Sequence, residues 1–165
     1  MKRMVVRNMV KMRFVDSLPF AKQIGIKLDS MEDGTAQCSL EPRPELNNHM
    51  KTMHAGATYT LAETASGAAM AGIFAERLLE LRIVAAKASI EYRSVSGKTL
   101  IATGKATQSG DALRAELSEE GKVRFDVQVE VRDVDDVLVA EMTVEWGALD
   151  KKHPKVVAAK VDKAA

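Results

Sequence analysis

From Lys122 onward the chain alternates with a period of two. Val123, Phe125, Val127, Val129 and Val131 are apolar, and Lys122, Arg124, Asp126, Gln128 and Glu130 between them are polar. After a turn at Asp135-Asp136, Leu138, Ala140, Met142, Val144 and Trp146 repeat the pattern. Alternation of this kind predicts strands with one packed and one solvated face, and hence an antiparallel sheet. Four more segments read as strands. Val84, Ala86, Ala88, Ile90 and Tyr92 share one face, and "SVSGK" then turns the chain into Leu100, Ala102, Gly104 and Ala106. Upstream, Ile24, Ile26 and Leu28 alternate to a turn at Gly34, and Ala36, Cys38 and Leu40 alternate until "EPRPELNN" ends the strand. "SGDALRAELSEEG" predicts a short helix capped by Asp111.

Two segments depart from the strand period. Residues 1–20 read as an amphipathic helix with Met4, Val5, Met9, Val10 and Met12 on its packed side. From about His54 to Phe74 the period is helical, and the composition is small: Ala57, Ala62, Ala65, Gly67, Ala68, Ala69, Ala71 and Gly72. Gly67 and Gly72 each cost a helix about 1 kcal/mol, so their presence predicts close approach of strands to helix. The expected fold is α+β: a curved antiparallel sheet of about six strands wrapped around one long central helix. Residues 1–165 read as a single domain, with the N-terminal helix over 1–20, the core over 21–148 and a Lys/Ala-rich peripheral tail over 149–165. His153 in that tail has no evident partner.

Composition narrows the partners. Twenty-four basic against 23 acidic residues leave a net charge of +1, so there is no electrostatic reason to expect a nucleic acid. The single cysteine, Cys38, excludes an internal disulfide framework and fits a reducing compartment, and the expected location is cytoplasmic. No run approaches the ~20 apolar residues of a membrane span. At the start of the chain, Arg7, Lys11 and Arg13 interrupt every candidate signal-peptide core.

The chemistry concentrates in "NNHMKTMHAGATYTLAETASG", residues 47–67. A helix beginning at His54-Ala55-Gly56 leaves first-turn amides without intrahelical partners, and small side chains there admit a ligand oxygen. His54 offers a further donor. Glu63 stands within otherwise Ala, Thr, Leu and Ser turns, where a carboxylate is expensive unless hydrated, paired or used; in a partly dry site it is a candidate general base or nucleophile. Asn48 offers an amide to orient water or a carbonyl. The residues equally allow Asn47 and Asn48 as turn formers, His54 as a satisfied helix-start residue and Glu63 as a solvent-facing charge.

The spacing Asn48, His54-Ala55-Gly56, Glu63 resembles that of the hotdog-fold acyl-CoA thioesterases of the phenylacetate-degradation type, and is most similar to uncharacterised bacterial members of that superfamily. The resemblance runs from about residue 20 to 148. It implies thioester hydrolysis with the Ala55 backbone N–H as oxyanion donor, Glu63 as base or nucleophile, and Asn48 and His54 positioning carbonyl and water. Gly56, Tyr59, Ala62 and Ala85 are the implied substrate contacts, and Met70 is a further candidate for the acyl channel. Coenzyme A enters as part of the substrate, with no metal or other cofactor. The resemblance also implies a homodimer, in places a dimer of dimers, whose joined sheets place active sites between subunits. Two departures stand out: Ala55 occupies a position that is commonly glycine, and Ala85 one where a Ser or Thr helps to orient water. A non-catalytic acyl-CoA binding protein is the alternative, and a hotdog dehydratase or hydratase a more distant one.

Overall fold

The computed structural model describes residues 2–161. In chain order the elements are α1 (Lys2–Phe14), α2 (Pro19–Ile24), β1 (Lys27–Met31), β2 (Thr35–Leu40), α3 (Ala55–Ile73), β3 (Leu81–Tyr92), β4 (Leu100–Ala106), α4 (Gly110–Glu120), β5 (Lys122–Asp133), β6 (Leu138–Asp150) and α5 (Pro154–Val161). The six strands form one antiparallel sheet in the order β1-β2-β4-β5-β6-β3, so the twelve-residue β3 is a free edge. This is the α+β arrangement that the alternation predicts.

α3 lies mainly over β2 and β4, with β5, β6 and β1 curling around it. Leu61, Ala62, Ala65, Ala68, Ala69 and Ala71 are fully buried against Cys38, Leu40, Leu100, Ala102, Val127 and Val144. Two glycines set the distance. A Cβ on Gly104 of β4 would stand 2.9 Å from the Ala65 carbonyl oxygen, and one on Gly72 of α3 would overlap the Glu32 carbonyl oxygen in the β1–β2 turn. That turn reverses at Gly34, whose φ of +90° suits glycine.

Several expectations need correction. Ile24 ends α2, whose C-cap Gly25 is left-handed at φ +85°, and the first strand begins only at Lys27. In β3, Ala86 is an extra residue between the pairs Ala85↔Trp146 and Lys87↔Glu145. This bulge changes the parity of the strand. Val84 therefore pairs Gly147 on the outer face and is 48% exposed, while Ile83, Ala88 and Ile90 pack on the core. α4 is capped by Ser109, whose hydroxyl accepts the Ala112 N–H at 3.3 Å, and Asp111 lies inside its first turn.

At the chain ends, α1 stops at Phe14 and is followed by a short 3-10 turn and α2. Its packed side carries Val10 and Phe14, whereas Met4, Val5, Met9 and Met12 point outward. The C-terminal segment is more engaged than expected. β6 continues to Asp150, Val156 is buried, and His153 Nε2 lies 3.2 Å from the Ser118 carbonyl oxygen. Residues 162–165 of the expected tail lie outside the described part.

Gly72→Ala tests the close approach. Within a free helix the change stabilises by about 1 kcal/mol. Here the added methyl forces helix and turn apart, and we expect a net loss of about 1–3 kcal/mol in denaturant unfolding. A gain in stability would show that the approach is not limiting.

Candidate active site

The loop before α3 is built to deliver His54 to the helix start. Leu46 and Met53 are buried and anchor its two arms, which meet at the bridge Asn47↔Met53 and in the His54 N–H to Leu46 O bond (2.8 Å), and the Met53 N–H ties the loop to Ser96 O of the β3–β4 connection (2.9 Å). Asn48 closes the tip. Its Oδ1 accepts the backbone N–H of Met50 (2.9 Å) and Thr52 (3.2 Å), and its Nδ2 donates to Thr52 Oγ1 at 2.9 Å. Lys51 completes the turn in the left-handed region at φ 60°. The Asn48 oxygen is thus occupied by the turn it forms, the simpler of the two roles open to it in sequence.

His54 is the N-cap of α3, the helix-start role that its sequence left open. Nδ1 accepts the Gly56 N–H at 2.8 Å, which places the neutral imidazole proton on Nε2. The His54 carbonyl oxygen takes the Ala57 and Thr58 amides at 2.9 and 3.1 Å. Of the first four helix amides only that of Ala55 has no partner among the described residues, and Ala55 is exposed. The helix dipole adds partial positive charge at that point. A single amide is therefore open to an anionic oxygen, and it is the one named from sequence.

Glu63 sits two turns further along α3, on the part of the helix that α1 leaves uncovered. Phe14 reaches α3 near Gly67, where it and Trp146 flank the glycine, so the cover begins one turn after Glu63. Among the described residues the Glu63 carboxylate has no hydrogen-bond or ion-pair partner. Burial alone raises its pKa above the usual carboxylate value, and the other shifted carboxylates are all lowered. Its backbone is firmly held. The Trp146 indole N–H donates to Ser66 Oγ at 3.1 Å, and the Ser66 hydroxyl donates to the Glu63 carbonyl oxygen at 2.7 Å. The β6 tryptophan thus fixes the helix turn that presents the carboxylate.

Tyr59 is partly exposed one turn before Glu63. Tyr92, at the end of β3, reaches back to the same region and donates its hydroxyl proton to the Ala55 carbonyl oxygen at 3.1 Å. Burial and the nearby Tyr59 raise the Tyr92 pKa. Both of the chain's tyrosines therefore meet at the start of α3. Sequence alternation places Tyr92 on the inner face of β3, but the contact is long-range and carries no local signal. Ala62 and Met70, expected along the acyl channel, are buried in the core of this chain. Ala85 is exposed on edge strand β3, where it supplies no hydroxyl. Among the described residues no group of three or more His, Cys, Asp or Glu is arranged to hold a metal ion.

Eight residues separate Ala55 from Glu63, which is about 12 Å along the helix axis. The amide stands at the helix start and the carboxylate two turns on, on a side chain that leans back toward that start.

The chain belongs to the family known as the domain of unknown function DUF4442, whose model matches residues 6–147. No curated protein sequence matches it. Among solved structures it is similar to a Pseudomonas aeruginosa protein of unknown function described as a probable thioesterase, PA5026, with a TM-score of 0.74 and 19% identity over 86% of this chain and 94% of the other. The PaaI protein of the Escherichia coli phenylacetic acid degradation operon aligns with a TM-score of 0.69 and 20% identity over 86% and 91% of the two chains. A hypothetical thioesterase from Streptococcus pneumoniae, solved with coenzyme A, aligns at 0.60 and 17% over 76% and 87%. At these identities the likeness establishes the hotdog fold.

The unpaired state of Glu63 leads to a stability prediction. A raised folded-state pKa in an acid means that the protonated form is the one favoured by folding. That contribution is complete below the ordinary carboxylate range and is lost as pH rises through the folded value. Glu63→Gln, which keeps the shape without the charge, is expected to melt above wild type at neutral pH. The difference should vanish below about pH 4, where both side chains are neutral. A variant less stable than wild type at neutral pH would show that the carboxylate has a partner.

Proposed function

We propose that this protein is an acyl-CoA thioesterase whose active site is shared between two copies of the chain. One copy contributes the open Ala55 amide and the other the Glu63 carboxylate. The single observation that carries this reading is the pair of groups on α3 without partners among the described residues: the Ala55 amide and the half-buried Glu63 carboxylate, eight positions apart on one helix. Brought together from two antiparallel copies, they face opposite sides of one thioester. The oxygen of its carbonyl lies at the helix start, where charge develops in the tetrahedral intermediate. Glu63, with its affinity for protons raised by burial, takes the proton of an attacking water or attacks the carbonyl carbon itself. Collapse of the intermediate breaks the C–S bond, the proton taken by Glu63 passes to the sulfur, and coenzyme A leaves as the thiol with the free acid as co-product. Where Glu63 itself attacks, the thiolate leaves with a proton from solvent and water then hydrolyses the mixed anhydride.

The long free edge supports pairing. β3 offers twelve residues of unsatisfied ladder, a length that folded proteins seldom leave open. Edge-to-edge pairing of β3 with a second β3 extends the sheet into a homodimer, and a dimer of dimers is compatible with the polar outer face. The neighbours named as thioesterases, and the one carrying coenzyme A, agree with the substrate class. His54 serves this site by holding the first turn in place, since its cap to Gly56 fixes the peptide that follows the oxyanion donor. No further cofactor is called for.

A non-catalytic acyl-CoA binding protein is the second reading. It is favoured by the commitment of the Asn48 oxygen to its own turn and by the absence of a hydroxyl at Ala85. Losing one positioning hydrogen bond lowers the rate by about ten- to a hundredfold if that bond tightens in the transition state.

Thiol release from short, medium, long and aromatic acyl-CoAs decides between them. Turnover is expected with at least one class, and Glu63→Gln should lower kcat by about a hundredfold or more while acyl-CoA still binds. Saturable binding with no thiol release by the wild type would establish the binding protein instead. Equal turnover by wild type and Glu63→Gln would remove the carboxylate from the mechanism.

A further inference from the structure

The packing of α1 inverts the expectation from its sequence, and its outward face is what needs explaining. Met4, Val5, Met9 and Met12 are 54, 52, 64 and 80% exposed. At 100° per residue they fall within one arc of about 140° on the helix. Val10 and Phe14 occupy the opposite side and pack on the core. The helix therefore spends its smaller apolar side on the fold and presents the larger one outward. Four large apolar side chains on one exposed helix face, with Asn8 the one polar residue among them, are more than the scattered apolar residues of an ordinary surface.

The charges of α1 are equally one-sided. Its sequence, KRMVVRNMVKMRF, has five basic residues and no acidic one. Arg3 and Arg7 turn toward the domain, where Arg3 meets Glu76 and Asp111 at 3.4 and 3.2 Å and Arg7 meets Glu32 at 2.8 Å. Lys11 and Arg13 have no carboxylate partner among the described residues; the Lys11 ammonium donates to the Asp29 carbonyl oxygen instead. In helical projection these two cations border the methionine arc on either side. An apolar arc flanked by uncompensated cations matches the chemistry of an interfacial helix, with side chains entering the acyl boundary and cations meeting anionic headgroups.

We infer that the outward face of α1 docks this protein on anionic lipid bilayer surfaces. A second copy of the chain is the poorer match, because a two-fold contact through this face would bring like charges from both helices together. The helix is thirteen residues long, and no helix among the described residues is long and apolar enough to cross a membrane, so the contact is peripheral. The inference is independent of the reaction at Glu63.

Co-sedimentation of the full chain with vesicles tests it. We expect binding to phosphatidylcholine vesicles containing roughly a third phosphatidylglycerol, weak binding to phosphatidylcholine alone, and loss of binding as salt is raised. The double variant Met9→Glu/Met12→Glu alters only exposed side chains, so its melting temperature should stay near wild type. Its binding to anionic vesicles should fall at least about tenfold. Lys11→Glu/Arg13→Glu should act in the same direction. The proposal is overturned if the wild type fails to sediment with anionic vesicles, or if the methionine variant binds them as wild type does. It is also overturned if that variant reduces the native mass in solution, since a second copy would then be what covers the face.

Discussion

The structure depends on how near α3 can come to the sheet. Curling six strands around a helix brings backbone within reach of backbone, and every large side chain on the inner helix face would hold the sheet away. The run of alanines from Ala62 to Ala71 removes that obstacle, and Gly72 and Gly104 remove it entirely where a carbonyl oxygen crowds the space. The helix loses propensity at its glycines and regains more through contact area. This also fixes where polar groups can sit. Positions under the sheet are closed to charge, so a carboxylate on α3 must lie on the side facing away from it. Glu63 does so.

From that constraint the candidate site follows with few additional parts. Phe14 of α1 reaches α3 at Gly67, while Ala55, Gly56 and Tyr59 in the first two turns stay exposed. Among the described residues, the open portion begins with an amide that nothing accepts from and ends with a carboxylate that has no cation partner. Elsewhere acids and bases are matched closely: Arg114 joins Asp33 and Asp111, Arg77 joins Asp150, and Arg93 joins Glu141. A protein that pairs its surface charges so freely leaves Glu63 alone, half-buried, on a helix held by Trp146 and Ser66. That rigid support, together with burial and the lack of a partner among the described residues, is why the proposed reaction is assigned to Glu63.

Much of this was legible in the sequence, and the misses have specific causes. Period-two alternation identified β5, β6 and the second half of β3 because each has one dry face. It misassigned Val84 because the bulge at Ala86 adds a residue without changing composition, and alternation carries no marker of parity. Ile24 and Ile26 alternate like a strand, yet Pro19 starts a short helix and Gly25 ends it. The start of α3 was readable to the residue, but the role of His54 was not. An imidazole that caps its own helix and one that donates to a ligand have the same sequence; only the 2.8 Å contact to the Gly56 amide separates them. Tyr92 was placed on the correct face, while its bond to Ala55 depends on a fold that brings residues 37 positions apart into contact.

α1 shows the same limit from the other side. Its periodicity is correct and its amphipathicity is real, but a hydrophobic arc on a helix does not say what medium it meets. Two apolar sides were available, one of valine and phenylalanine and one mainly of methionine. The Phe14 ring packs beside Gly67 of α3, and Val10 joins it on the core. Arg3 and Arg7 then decide the rotation, because their partners Glu76, Asp111 and Glu32 all lie on the domain side and would be abandoned if the helix turned over. Ion pairs at such exposed positions are individually weak. Three of them acting on one rotation, together with a ring that fits in only one place, are enough to leave the methionines facing out.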